Sequence, residues 1–340
     1  MADLEKKGDE KLAEEHGSEK GGGESKAITG LREYLVSRLK DLRISELKLN
    51  RKPIVLDSKT DPKKAIEVLL QNKVMAAPVA ENNQFVGVFD LRDCIKYALQ
   101  MYHRDTVDKI KSKAMEFLTI SPHIATNSLK YLSRMRTFEM VKESESILSV
   151  IRVLAKGAHI VGITNEDGKK LESILTQGEV FQIISKCWEM EKIVQIEKDS
   201  NIALSELTKD PFKIVTTPVV TISCQIKAYE AFEKMSTSNL SGLAVVDKSG
   251  AIVHNTSATD IKLWLLNSNS LDDTIEHFLI NVRKLSLLEK YPVTSCHLTD
   301  TLSRVIAKLQ ATKFHRIWIV DDHRRPTGVC AITDIFRFLH

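Results

Sequence analysis

Cysteine is scarce in this chain, and the few cysteines form no pattern. No two of the five stand at the C-x-x-C spacing of a zinc or redox site, and an odd, dispersed set does not indicate a disulfide framework. The sequence therefore predicts no metal site and no disulfide-bonded scaffold. The five residues are Cys94, Cys187, Cys224, Cys296 and Cys330.

Long apolar runs are also missing. No stretch approaches the roughly 20 apolar residues that a membrane-spanning helix needs, and the charged N-terminus lacks the apolar core of a secretory signal. Residues 1–26 hold five lysines and eight acidic residues but almost no apolar side chains, so this segment cannot bury enough surface to offset the entropy of ordering. We predict a disordered acidic tail over 1–26 in a cytoplasmic protein without a membrane span, and the nucleus stays open as a second compartment.

Charge of one sign does not dominate, and signatures of catalysis are absent. The 49 basic and 45 acidic residues leave a formal charge of +4, so no nucleic-acid partner is expected. The sequence has no GxSxG or HExxH motif. We therefore expect no enzyme, no catalytic residues and no required cofactor. The basic residues between Tyr102 and Val141, among them Arg134 and Arg136, are interpreted as a solvated face, with a partner surface as the alternative.

The chain does contain one supersecondary unit four times. Its order is an extended segment, a helix, two strands and a closing helix, and it is clearest at the end of the chain, where His315–Val320 and Thr327–Ala331 are the strands. The second copy is the least regular, because no extended segment stands out before its first helix, Ile147–Leu154. A helix predicted over 27–50 precedes the copies, which we place at 51–102, 138–190, 213–268 and 288–340.

An acidic residue stands just inside the closing helix of every copy. It is Asp93 in GVFDLRD, Asp260 in HNTSATD and Asp334 in GVCAITD, whereas the second copy has Glu179 in ILTQGE. This pattern resembles the cystathionine β-synthase (CBS) repeat, whose second strand runs into a Ser/Thr-x-x-Asp signature. The four-copy arrangement over roughly 40–340 resembles the γ regulatory subunit of AMP-activated protein kinase, including its divergent plant-type relatives.

The resemblance implies an α/β fold in which four tandem CBS repeats pair into two Bateman modules and form a disc. It also implies that the signature aspartates hold the ribose of an adenine nucleotide, because a carboxylate offers two acceptor oxygens to a cis-diol. Carried over, the ribose-binding residues are Asp334, Asp260 and Asp93. The residues expected at the phosphates and elsewhere in the clefts are His315, Arg316, His159, Ser257, Thr176 and Ser241.

Several positions depart from the family's pattern. Ala331 and Asp90 replace the hydroxyl residue, Met75 stands where the family often has arginine, and Glu179 replaces aspartate. We therefore expect at most two or three working clefts, with Asp260 and Asp334 as the best ribose anchors. An aspartate one turn into a helix can also be a simple cap that the helix dipole favours, so this alternative stays open for each copy.

The resemblance implies a non-catalytic regulatory subunit that binds AMP, ADP or ATP and docks on the catalytic α and scaffold β subunits of a kinase. Two alternatives stay open. The chain is a scaffold with degenerate nucleotide sites, or it is a stand-alone CBS regulator of another enzyme with an adenosyl ligand such as S-adenosylmethionine.

Overall fold

The structure is a computed structural model, and it describes residues 26–49, 52–113, 128–134, 136–261, 271–286 and 293–340. The tail predicted over 1–26 lies outside the described residues, apart from its last residue. None of the described helices is both long enough and apolar enough to cross a bilayer.

The first helix, α1, covers residues 26–40 and so ends ten residues earlier than the helix predicted over 27–50. A tertiary contact accounts for this end. The hydroxyl of Ser146 donates to the carbonyl oxygens of Leu39 and Lys40 at 3.3 and 3.1 Å. The last carbonyls of a helix have no partner within the helix, and here a distant segment supplies one.

Repeats 1 and 2 contain the elements of the predicted unit. In repeat 1 these are β1 (Leu56–Asp57), α2 (Pro62–Gln71), β2 (Ala76–Glu81), β3 (Gln84–Asp90) and α3 (Leu91–Lys113). After the short α4 (Leu129–Ser133), repeat 2 has β4 (Met140–Lys142), α5 (Ile147–Ala155), β5 (Ile160–Thr164), β6 (Leu171–Thr176) and α6 (Gln177–Lys186). The strand β4 is the leading segment that the sequence did not reveal, because only three residues form it.

Repeats 3 and 4 follow the connecting helix α7 (Met190–Asp199). Repeat 3 has β7 (Thr221–Ser223), α8 (Ala228–Thr237), β8 (Gly242–Val246) and β9 (Ile252–Ser257), and most of its predicted closing helix lies outside the described residues. After α9 (Ile275–Ser286), repeat 4 has β10 (Ser295–Cys296), α10 (Leu302–Thr312), β11 (Arg316–Val320), β12 (Pro326–Ala331) and α11 (Ile332–Leu339).

Each repeat folds its three strands into a separate sheet of the same topology. The middle strand of the sheet pairs in parallel with the short leading strand and antiparallel with the last strand. The antiparallel pair shifts its register at the same place in all four sheets, between the fourth and fifth residues of the middle strand: Val79/Ala80, Ile163/Thr164, Val245/Val246 and Ile319/Val320. The shared irregularity shows that the second copy is the same unit, although its sequence is the least regular.

Four apolar clusters join the repeats into a closed ring. Helices of repeats 1 and 3 share one core, and helices of repeats 2 and 4 share another, on which α1 also packs. The sheets of repeats 1 and 2 meet at Phe138, Val88 and Ile160, and those of repeats 3 and 4 meet at Trp318 and Ile252. Every repeat therefore contacts two others, and the predicted α/β fold of four repeats in two paired modules is confirmed.

Candidate functional site

The predicted site residues occupy equivalent positions in the four repeats. The first residue of each middle strand lies opposite the residue that caps the closing helix: Ala76 opposite Asp90, Ile160 opposite Thr176, Gly242 opposite Ser257 and Arg316 opposite Ala331. The residue before the strand also contacts the start of the closing helix, since His159, Ser241 and His315 each accept a backbone hydrogen bond from it. The start of a strand and the start of a helix thus form one wall of each candidate cleft.

The signature acidic residues all serve as helix caps. One carboxylate oxygen of each accepts a hydrogen bond from a backbone N–H three residues earlier, at 2.7 to 3.0 Å. The capping oxygen can accept more than one hydrogen bond, and that of Asp93, Glu179 and Asp260 also accepts one from a side chain. The capping alternative from the sequence therefore applies to all four copies: Asp93, Glu179, Asp260 and Asp334.

A buried cluster of charges fills the cleft at Asp93, between repeats 1 and 2. Arg136, from the segment that leads into repeat 2, lies with its Nη1 2.6 Å from Asp93 Oδ2 and its Nε 3.4 Å from Asp90 Oδ2. Arg92 approaches Asp90 Oδ2 at 2.6 Å, and His159 Nδ1 approaches the same oxygen at 3.2 Å. The predicted ribose anchor Asp93 and the predicted phosphate contact His159 are thus engaged inside the protein.

The two carboxylates of this cluster differ in their proton affinity. Both side chains are fully buried. Burial and the neighbouring charge of Asp90 raise the pKa of Asp93 to about 6. Burial alone would also raise the pKa of Asp90, but the bond to His159 and the charges of Arg136 and Arg92 hold it well below its usual range. Among the described residues, Oδ1 of Asp93 has no hydrogen-bond partner, which agrees with its preference for a proton.

Arg136 is a residue whose role the sequence did not reveal. It was interpreted as part of a solvated face, and this interpretation is wrong, because its side chain is 16% exposed and pairs with buried carboxylates. A basic residue inside a run of basic residues carries no signal that distinguishes it from its neighbours. The pair Asp90 and Asp93 was the available signal, since two adjacent buried carboxylates require a cation.

The hydroxyl of Thr176, in repeat 2, forms hydrogen bonds within the first turn of its own closing helix. Its Oγ1 donates to Glu179 Oε2 at 2.9 Å and accepts from the Glu179 N–H at 3.2 Å, which closes a reciprocal capping box. Thr176 therefore stabilises the start of α6, and the hydroxyl predicted to contact a ligand is already paired with Glu179.

Arg316 lies at the centre of the contact between repeats 3 and 4. Its Nη2 donates to Ser241 Oγ at 2.7 Å, and its guanidinium occupies the space that a side chain at Gly242 would fill. Burial lowers the pKa of Arg316 to about 10, and the charges of Asp260 and Asp334 oppose that shift. The structure thus brings together four of the predicted site residues at this contact.

The two aspartates of this half have different surroundings. Oδ2 of Asp260 also accepts from the Thr256 hydroxyl at 3.2 Å, and the hydroxyl of Ser257 contacts that of Thr259. Oδ1 of Asp334 pairs with the exposed Arg337 at 2.8 Å. Burial raises the pKa of both aspartates.

Arg283, on α9, is a second basic residue that the sequence did not single out. Its charge opposes the burial-induced rise in the pKa of Asp260, and its Nη1 lies 3.1 Å from Nδ1 of His254. It lies in the connector helix, outside every repeat motif, so no repeat-based comparison could have found it.

His315 and Arg316 do not serve the same cleft. Successive residues entering a strand point to opposite faces, so Arg316 turns to repeat 3 while His315 lies against Gly178 of repeat 2. The imidazole lines a cavity there and keeps contact with solvent in it. Desolvation, with the charges of Arg316 and His159, lowers the pKa of His315.

The CBS domain family matches three segments of this chain, residues 44–100, 211–267 and 286–340. Repeat 2 falls outside these segments, although it has the same strands, helices and register shift. Among curated proteins, Protein SDS23 of Saccharomyces cerevisiae is 28% identical over 307 residues, which cover 84% of this chain and 56% of the relative. Protein SDS24 of the same yeast is 28% identical over 302 residues, with the same coverage. The chain thus spans little more than half the length of these relatives.

Solved structures share the fold at low sequence identity. A protein of Methanocaldococcus jannaschii, described as a candidate archaeal homologue of g-AMPK, superposes with a TM-score of 0.60 at 19% identity. An uncharacterized conserved protein of Pyrococcus horikoshii superposes with a TM-score of 0.51 at 14% identity. Each match covers 88% of this chain and all of the other chain. At such identities the likeness establishes the arrangement of the repeats and nothing about ligands.

Proposed function

We propose that this chain, three segments of which match the CBS domain family, is a non-catalytic regulatory protein that binds an adenine nucleotide between repeats 3 and 4. The observation that carries the proposal is the position of Arg316. Its guanidinium is bound to a hydroxyl, Ser241, and its charge acts on both signature aspartates of this half. A cation whose charge acts on two ribose-binding candidates supports a nucleotide site, because phosphates pair with guanidinium groups.

Arg316 would exchange partners when a nucleotide binds. A phosphate offers the planar guanidinium two charge-assisted hydrogen bonds, which are stronger than the single bond to the neutral Ser241. The oxygens of Asp260 and Asp334 that do not cap a helix would then accept from ribose hydroxyls, and the exposed Arg337 would share or release Oδ1 of Asp334. AMP, ADP and ATP share the ribose and the first phosphate, so all three are candidate ligands.

Binding would act on a partner through linkage. A nucleotide that binds two states of a complex with different affinity shifts their populations, and the partner shifts the nucleotide affinity by the same factor. The resemblance to the γ subunit favours a kinase with catalytic α and scaffold β subunits as this partner. The fold similarity to a candidate archaeal homologue of that subunit is compatible with this choice.

A scaffold with degenerate sites is the second candidate function, and the half formed by repeats 1 and 2 favours it. Arg136 fills the cleft at Asp93, and the capping box of Thr176 and Glu179 satisfies the equivalent groups of repeat 2. The disc would then bind partners without a nucleotide response.

Isothermal titration of the full chain with AMP, ATP and S-adenosylmethionine tests the proposal. We expect saturable binding of a nucleotide that Asp334→Asn or Asp260→Asn weakens at least about tenfold, since each removes a charge-assisted bond. The matched control Asp93→Asn should leave the affinity unchanged. A folded chain that binds none of the three ligands supports the scaffold function, and preferential binding of S-adenosylmethionine supports a stand-alone regulator.

A further inference from the structure

A cavity of about 520 Å³ lies between repeats 2 and 4, beside the segment that precedes repeat 1. These two repeats do not form a sheet-paired module, so the cavity is separate from the contact between repeats 3 and 4. Its volume is within the roughly 300–1,000 Å³ of small-molecule sites. Most of the wall is apolar and comes from Leu49, Ile174, Leu175, Ile183, Phe314 and Ile332.

Basic groups are in the majority among the charged residues of the wall. Lys48 and Lys313 enter from two different segments, and His315 lies at the same side as Lys313. The carboxylate of Glu179 also reaches the wall, but its Oε2 accepts hydrogen bonds from both the N–H and the hydroxyl of Thr176. The wall thus offers cations to a ligand, while its acidic residue is occupied in capping α6.

The first turn of α6 lies at the same place. The N–H groups of Gln177 and Glu179 already donate to protein oxygens that precede the helix, so the turn contributes mainly the positive end of the helix dipole. Gly178 lies in this turn, and a Cβ there would be 3.1 Å from Nε2 of His315, so the glycine allows the imidazole to approach the start of the helix. The N-terminus of a helix favours negative charge because its first N–H groups have no partner within the helix. Two lysines, an imidazole and a helix start therefore line the same mostly apolar cavity.

We propose that this cavity binds a small organic anion, with its apolar body against the aliphatic and aromatic wall and its anionic group between Lys48, Lys313 and the start of α6. The ligand contacts repeat 2, repeat 4 and the segment before repeat 1, so it bridges both modules. Binding should therefore raise the midpoint of thermal unfolding of the full chain. Neither Asp260 nor Asp334 lines this cavity, although His315 and the signature residue Glu179 do, so the two sites need separate tests.

The probe for this site is 8-anilinonaphthalene-1-sulfonate, which carries an aromatic body and one sulfonate. Its fluorescence is titrated against the full chain, the variant Lys313→Asn and the matched control Lys73→Asn. Both lysines follow the first helix of their repeat in a left-handed conformation, with φ of 56° and 54°. Asn239 has the same place and φ of 51° in repeat 3, so asparagine fits the backbone. Lys73 is not among the residues of the cavity wall.

We expect saturable binding that Lys313→Asn weakens about fivefold, as the loss of one partly exposed charge pair implies, and that Lys73→Asn leaves unchanged. Gln182→Trp, which places a large side chain in the cavity wall, should abolish saturable binding in a protein with an unchanged unfolding midpoint. The proposal is wrong if the folded chain shows no saturable binding, or if both lysine variants bind equally.

Asp334→Asn distinguishes this site from the nucleotide site. The variant should lose AMP affinity and keep the probe affinity, whereas loss of both would show that the cavity is not a separate site. If AMP fails to bind at all, the probe titration still decides the cavity proposal.

Discussion

The clefts at Asp93 and Asp334 share a backbone arrangement but differ in the side chain that the partner repeat supplies. In each, the segment before the first strand of one repeat pairs with the last strand of its partner repeat. The N–H of Val88 donates to the carbonyl oxygen of Arg136, and that of Val329 donates to the carbonyl oxygen of Thr216. The side chains at these equivalent positions differ, since one is a guanidinium that reaches Asp93 at 2.6 Å and the other is an exposed threonine.

The difference shows that the signature aspartate does not by itself decide whether a cleft is available. Asp93 and Asp334 have the same place and the same capping bond. The partner repeat makes the difference, because it supplies the buried Arg136 to Asp93, whereas Asp334 pairs with the exposed Arg337 of its own helix. Replacing the small hydroxyl residue by Asp90 in the first half is part of the same arrangement, since the extra carboxylate binds Arg92, Arg136 and His159.

The largest effect is expected for Arg136→Ala. Removing this guanidinium leaves two buried carboxylates short of a cation, which costs about 3–5 kcal/mol in comparable buried pairs. The equivalent substitution Thr216→Ala removes an exposed side chain and should change the free energy of unfolding by less than about 1 kcal/mol. Urea denaturation of both variants measures the contrast, and equal losses would show that the two clefts do not differ as described.

Gly242→Ala comes next. A Cβ at this position would occupy the space of the Arg316 guanidinium, so we expect a loss of about 1–3 kcal/mol in the free energy of unfolding, as for other overpacked sites. The same change at Gly30, where no atom lies within 4 Å of the added Cβ, should stabilise the helix by about 0.5–1 kcal/mol. A neutral Gly242→Ala would contradict the placement of Arg316.

Thr216→Arg transfers the chemistry of the first cleft to the second. The new guanidinium should reach Asp334, which among the described residues pairs with the exposed Arg337. AMP affinity should fall at least about tenfold, because the guanidinium would fill the cleft as Arg136 does at Asp93. Thr221→Arg, on the exposed side of β7, is the matched control and should leave the titration unchanged. If Thr216→Arg binds AMP as well as the parent chain, Asp334 is not a ribose anchor.

The smallest effect concerns pH. The pKa of Asp93 is raised to about 6, so between about pH 4 and 6 the folded state binds more protons at this site than the unfolded state does. Its contribution to stability is therefore present at low pH and is lost as the pH rises through 6. The pKa of His315 is shifted down and acts in the opposite direction, so only the difference between parent and variant is diagnostic.

Asp93→Asn removes the titrating group and should flatten the loss of stability between pH 5 and 7. The slope of the unfolding free energy against pH should change by less than about 1.4 kcal/mol per pH unit, which is the slope that one full proton produces. Urea midpoints of parent and variant at the two pH values measure it. A constant offset between the two proteins at both pH values would rule out titration of Asp93 in this window.

Much of the fold could be predicted because its signals are local. The cap Asp61 with Pro62 behind it marks the start of α2, and Oδ1 of Asp61 accepts from the N–H of Lys63 at 2.9 Å. The strand HRIWIV is buried from Ile317 onward, as its apolar run indicates. The predicted end of α1 was wrong because the residue whose contact ends the helix, Ser146, lies more than 100 residues away in the chain.

The candidate site also has features that depend on local sequence and features that depend on tertiary contacts. The sequence by itself determined the number and order of the repeats and the place of each signature residue, because strand alternation, helix periodicity and caps depend on neighbours within a few positions. Only the tertiary structure decided that Arg136 pairs with Asp93, that His315 and Arg316 face different repeats, and that a cavity lies between repeats 2 and 4. Arg136 and Asp93 are 43 residues apart, and buried charge pairs of this kind form only when packing brings distant segments together and removes the water around them.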